Sequence, residues 1–84
     1  MSQRSKLVQS IRNNPRDVRF DDACKVAEML GFLSHGGSGS HRVFARPGEP
    51  TQLNFQEREG GKIKPYQAKQ LIAMIEQYWE ASNE

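Results

Sequence analysis

The stretch "GGSGSHRVFARPGEPTQLNFQ", Gly36 to Gln56, decides the fold class of this chain. It holds two strand-like runs and two turn signals in a span too short for a helical crossover. Thr51 to Gln56 alternates cleanly, with Leu53 and Phe55 on one side and Gln52, Asn54 and Gln56 on the other. His41 to Arg46 is the second strand, and "RPGEP", Arg46 to Pro50, is a turn built from two prolines and a glycine. A first strand opening at Phe32 and Leu33 is expected to end in the glycine-rich turn Gly36 to Ser40. Strands joined by such short turns pair antiparallel, and the resulting sheet can take helices on one face and leave the other open. The second strand alone does not choose its face: His41, Val43 and Ala45 share one side, Arg42, Phe44 and Arg46 the other.

Helices flank this meander. Upstream, Ala23, Val26, Ala27 and Leu30 recur at i, i+3, i+4, i+7, Asp21 and Asp22 offer a carboxylate N-cap, and Gly31 stands where a left-handed residue closes a helix. Earlier still, Ser5 to Asn14 carries Leu7, Val8 and Ile11 on one side and meets Pro15, which predicts a short additional helix. Downstream, "EREGGK" loops into a final helix opening near Pro65, with Ala68, Leu71, Ile72, Ile75 and Trp79 as its apolar stripe. Phe44, Leu53, Phe55, Met74 and Trp79 read as core. The predicted class is therefore α+β, with a three-stranded antiparallel sheet. The α–β–β–β–α order is that of double-stranded-RNA-binding domains, preceded here by one extra N-terminal helix.

The 84 residues make a single domain (1–84), with the extra helix at 5–14 and the core at 21–80. A chain this short buries only about 60–65% of its unfolded surface, so its core must be economical. The longest apolar run, "LIAMI", is far short of the roughly 20 residues a membrane span needs, and "MSQRSKLVQS" has no apolar leader core. Cys24 is the one cysteine, which argues against a disulfide scaffold and predicts a reducing, cytoplasmic setting. With two histidines and that cysteine widely spaced, no metal site and no cofactor are expected. The net charge of +2 is uneven. Arg42, Arg46, Arg58, Lys62, Lys64 and Lys69 crowd the middle, whereas Glu76, Glu80 and Glu84 follow in the tail. A basic middle suits a polyanion on one face, although such charges also serve solubility alone.

His41 is the strongest candidate for chemistry. An imidazole with an ordinary pKa of ~6.5 can give or take a proton near neutral pH. The small residues before it, Gly39 and Ser40 among them, let backbone N–H groups approach an anion. His35 precedes the glycines and reads as a bystander; Ser38 and Ser40 have no nearby carboxylate to complete a triad. The second informative segment is "GGKIKPYQAKQ", Gly60 to Gln70: Lys62 and Lys64 feed a helix N-terminus, a ready phosphate site, and Tyr66 can stack on a base. Its bland alternative is a capped helix whose Tyr66 packs at the sheet edge.

Three pieces in order, "GF" closing a helix, "GSHRVF" opening a strand, and "LNFQ…GGKIKPYQAKQL" leading into the last helix, resemble the HicA family of messenger-RNA interferase toxins. The resemblance runs from about Asp21 to Tyr78, about two-thirds of the chain. It implies the same α–β–β–β–α fold, metal-independent RNA cleavage with His41 as the catalytic histidine of the Gly-Ser-His motif, and silencing by a HicB-type antitoxin that covers it. Arg42 follows the motif histidine where many relatives carry an aromatic or a histidine, and Ser38 precedes it where many have a basic residue. Electrostatic help is then expected from Arg42 and the Lys62/Lys64 loop. The N-terminal helix lies outside the family core.

The expected function is thus an endoribonuclease toxin in which His41 acts as general acid or base on a ribose 2′-hydroxyl. Gly39, Ser40, Arg42, Lys62, Lys64 and Tyr66 hold the RNA. The expected partners are messenger RNA and an antitoxin, with no membrane and no DNA bound by this chain alone. Two alternatives stand beside it. One is a non-catalytic RNA-binding module using Lys62, Lys64 and Tyr66; the other is a protein-docking surface on the acidic last helix.

Overall fold

The computed structural model describes residues 3–79. The element order is α1 (Gln3–Asn13), α2 (Phe20–Met29), β1 (Leu33–Ser38), β2 (His41–Ala45), β3 (Leu53–Gln56), a 3-10 turn (Glu59–Gly61) and α3 (Pro65–Tyr78). The three strands form one antiparallel sheet in the order β1-β2-β3. The chain is an α+β domain with an open sheet. No helix among the described residues is long and apolar enough to cross a membrane. Glu80 and Glu84 of the acidic tail, and residue 80 at the expected end of the core, lie outside the described residues.

Each element follows from its local chemistry. In α2, Phe20, Ala23, Val26 and Ala27 are buried, and the chain turns out of the helix through Gly31 at φ +90°. That left-handed value is one that glycine adopts without strain. The N-cap is Arg19 rather than Asp21 or Asp22; both carboxylates fall in the first turn, where the helix dipole still favours them. In α3 Pro65 opens the helix with Lys64 as N-cap, and Ala68, Leu71, Met74 and Ile75 are buried. Ile72 and Trp79, expected on that stripe, are only half-buried against the core. The third strand is shorter than its alternating pattern, starting at Leu53.

Helices α2 and α3 pack on one sheet face, and α1 packs on both of them. Phe44, Leu53 and Phe55 point into that layer and are fully buried, as is Phe32 just before β1. Rings of this kind contribute about 1.5–3 kcal/mol each through burial. Phe44 and Phe55 meet at 5.8 Å between centroids. The face of β2 left open by its sequence pattern is thereby settled: Phe44 goes in, and His41 and Val43 go out. The N-terminal helix is no appendage. Val8 and Ile11 of α1 are buried in the same core, and α1 packs on both α2 and α3.

The glycine-rich segment differs most from expectation. Gly36 and Gly37 are not a turn but ladder residues, pairing with Val43 and Arg42, and the loop is Gly39 and Ser40 alone. Gly39 has φ +56° and Ser40 is not in the positive-φ region, the pattern of a type II′ hairpin whose twist matches its strands. Between Ser34 and Gly36 the register slips, leaving His35 as a bulge. The bulge lets Ser34 share a side with Phe44 and Gly36 share one with Val43.

At the far end of the sheet, the β2–β3 turn is latched to two helices. Arg46 donates to the Leu30 carbonyl at the end of α2 and lies 3.9 Å over the Tyr78 ring. The Tyr78 hydroxyl donates to Glu49, which also accepts from the Thr51 N–H at 2.9 Å. The Tyr78 bond, then the Thr51 bond, hold the Glu49 carboxyl below its ordinary range, and the same carboxylate raises the Tyr78 phenol.

Gln67 does the equivalent at the near end. It is the buried polar residue of the core layer, only 4% exposed. Its Oε1 accepts from the Gln56 N–H and from the Lys64 N–H, each at 3.3 Å, tying the outer edge of β3 to the first turn of α3. A Gln67→Ala chain leaves both donors short of an acceptor. The expected cost is about 1–3 kcal/mol, read as a lower urea midpoint at constant slope. An unchanged midpoint shows that water replaces the amide without loss.

Candidate active site

His41 is the first residue of β2, and its side chain is exposed on the open face. Across the sheet it faces Ser38 on β1 and Gln56 on β3. Beyond that pair Glu57 N–H donates to the Ser40 carbonyl at 2.7 Å. His41 and Gln56 therefore form a non-hydrogen-bonded pair, the kind whose Cα atoms lie only about 4.5 Å apart and whose side chains stand closest. The same geometry turns the Gln56 N–H away from β2 and toward Gln67. One short path, His41 to Gln56 to Gln67, thus connects the hairpin tip to the start of α3.

That path brings Lys64 and Tyr66 to the His41 end of the sheet. Tyr66 is 59% exposed on the first turn of α3, with the Lys64 ammonium 5.9 Å from its ring centre. Most donors of this helix start are already engaged. The Gln67 and Ala68 N–H groups both reach the Lys64 carbonyl, at 3.0 and 3.1 Å, Lys64 N–H goes to Gln67, and Pro65 has none. Among the described residues the Tyr66 N–H is what remains for an anion. The site's positive charge at this end is then mainly the Lys64 side chain.

The other sequence candidates divide. Gly39 and Ser40 form the loop directly before His41, so their backbone sits beside it. Lys62 is held 2.6 Å from Asp17, both side chains about half exposed, and its backbone bridges to Arg19. Its charge is largely answered within the protein. Arg42 lies on the opposite sheet face from His41, because consecutive strand residues alternate. Its charge is felt at Cys24 of α2, where burial pushes the thiol up to about 11 and Arg42 pulls it partly back. His35, at its bulge, sits about 10 Å along the sheet from His41 and forms no pair with it.

No other protein group, among the described residues, hydrogen-bonds the His41 ring. No group of three or more His, Cys, Asp or Glu side chains among the described residues is placed to hold a metal ion. A shallow cleft of about 260 Å³ lies elsewhere, between α1 and α2, lined by Gln3, Arg4, Leu7, Asp22, Lys25 and Met29. It shares no residue with the His41 corner, and hollow shape alone does not outweigh the exposed imidazole.

Gln56 is the member of this corner that sequence reasoning missed, whereas Gln67, which with Lys69 reads in the sequence as polar reach toward RNA, is instead buried and committed to the Gln56 and Lys64 N–H groups. The alternation of "TQLNFQ" already places Gln56 on the polar side. What it lacks is the register that sets Gln56 opposite His41. No family model, no curated protein and no solved structure matches this chain.

Proposed function

We propose that this chain is a metal-independent endoribonuclease of the HicA type, with the double-stranded-RNA-binding-domain arrangement and His41 as its general base or acid. The observation that carries the reading is an imidazole exposed at a tight hairpin tip, with no hydrogen-bond partner among the described residues, and connected through Gln56 and Gln67 to the start of a helix bearing Lys64 and Tyr66. His41 takes the proton of a ribose 2′-hydroxyl, whose oxygen attacks the adjacent phosphorus. The bond from phosphorus to the 5′-oxygen breaks, that oxygen gains a proton from solvent, and a cyclic phosphate remains. Lys64 and the Tyr66 N–H supply charge for the extra negative charge on phosphorus, as do backbone N–H groups at Gly39 and Ser40. Arg42 faces α2 and takes no direct part; Lys62 contributes through Asp17 to the loop's position.

The resemblance to the toxin family supports a HicB-type antitoxin as the silencing partner, covering the hairpin tip. A second reading, RNA binding without chemistry, draws support from the lack of a hydrogen-bond partner among the described residues that would orient the His41 ring.

An RNA oligonucleotide and its copy with one 2′-deoxynucleotide at the cleaved position, incubated in EDTA, separate the readings. The RNA is expected to be cut with a cyclic phosphate end, and the single 2′-deoxy substitution is expected to abolish cutting at that bond alone. Cutting that persists at the deoxy position, or binding with no cutting, overturns the proposed reaction.

A further inference from the structure

The reaction leaves one feature of the open face unused. Asn54 and Gln56 of β3 are both exposed there, while the alternate residues Leu53 and Phe55 are buried. Gln56 stands opposite His41 and Asn54 opposite Val43. Alternate strand residues lie about 7 Å apart, a step that one nucleotide of an extended single strand can match. A carboxamide carries a donor and an acceptor side by side, the combination that pairs with the edges of unstacked bases.

The charge on this face favours a polyanion. None of the residues of β1, β2 or β3 is Asp or Glu; Glu57, the first residue after β3, has its carboxylate by Gly61 and Arg19, and Asp21, Asp22, Glu28 and Glu76 lie on helices. Lys64 and the exposed ring of Tyr66 border the Gln56 end, where a base can stack. Leu33, 66% exposed on the far strand, adds apolar floor.

We infer that Gln56 and Asn54 are specificity-determining residues that read the bases of a single-stranded RNA lying across the open sheet face, Gln56 at the nucleotide nearest the scissile phosphate and Asn54 one step along. This rests on the RNA-cleaving reading above, but it concerns recognition rather than chemistry. Neither amide side chain is buried, so Gln56→Ala and Asn54→Ala chains keep their Tm.

Two measurements test it. Cleavage sites in a random-sequence RNA pool are mapped for the unaltered chain and both variants. Binding of non-cleavable 2′-O-methyl oligonucleotides that differ at one base is measured in parallel. Each variant is expected to lose about tenfold of base preference at its own position, within the range for one bidentate amide–base contact. Cleavage by both variants with unchanged preference overturns the inference and leaves the nuclease reading intact. Base-selective binding that the variants lose, with no cleavage by any chain, sustains the inference and sinks the nuclease. Binding with no base preference in the unaltered chain also overturns it.

Discussion

A His41→Ala chain is expected to keep its Tm and to lose RNA cleavage by about 10²–10⁴-fold, the usual contribution of a positioned general acid or base. The two halves of that expectation come from one observation. The imidazole is exposed and has no hydrogen-bond partner among the described residues, so nothing in the folded state depends on it. Surface substitutions of this kind stay within about 0.5 kcal/mol of neutral. RNA affinity is expected to change little, because Lys64, Tyr66 and the hairpin backbone remain. Single-turnover cleavage with labelled RNA, a melting curve and an equilibrium binding curve on the same preparation measure all three quantities. A variant that cuts at the unaltered rate removes His41 from the reaction, whatever the fold; a variant that melts early shows that the side chain has a structural partner after all.

Gly37→Ala is expected to cost about 2–4 kcal/mol, summing backbone strain and a clash with no room to relax. Gly37 has φ +86°, a region that side-chain-bearing residues rarely enter, and a Cβ there would stand 2.1 Å from the His41 carbonyl oxygen. The obstacle is backbone, not the tip of a side chain, so the strands must part. For a domain of this size the loss corresponds to about 10–25 °C in Tm. Cleavage is expected to fall as well, since the clash falls on the peptide that carries His41. Gly36 is the internal control. It lies in the same strand, its φ is not in the positive region, and an added Cβ would meet Val43 at an ordinary 3.7 Å. Gly36→Ala is therefore expected to be neutral or stabilising by up to about 1 kcal/mol. Thermal melts of the two variants side by side decide it: equal behaviour of Gly36→Ala and Gly37→Ala means that the hairpin tolerates displacement at the His41 carbonyl.

This pair also explains why the glycine run misleads when read from the sequence. Successive small residues signal a flexible turn, and Gly39 with Ser40 is one. Gly36 and Gly37, though, are drawn into pairing by β2, and Gly37 is required there by the approach of another strand's carbonyl. Close approach between segments is a tertiary fact with no local signature.

The chain's periodicities by themselves determined the three helices, the three-stranded antiparallel meander and most of the buried set. Burial of an apolar side chain is repaid wherever it repeats in step with its own element, and that period is written locally. The place of His41, a titratable ring between a turn and the start of a strand, was legible from the local sequence as well. Only the tertiary structure decided which face of β2 is covered, because His41–Val43–Ala45 and Arg42–Phe44–Arg46 are comparable rows until the helices cover one of them. It also placed Arg42 on the side away from His41, committed Lys62 to Asp17, made α1 part of the core and set Gln56 beside the imidazole. Each of those depends on register and layer packing, which join residues far apart in the chain and leave no pattern within any one segment.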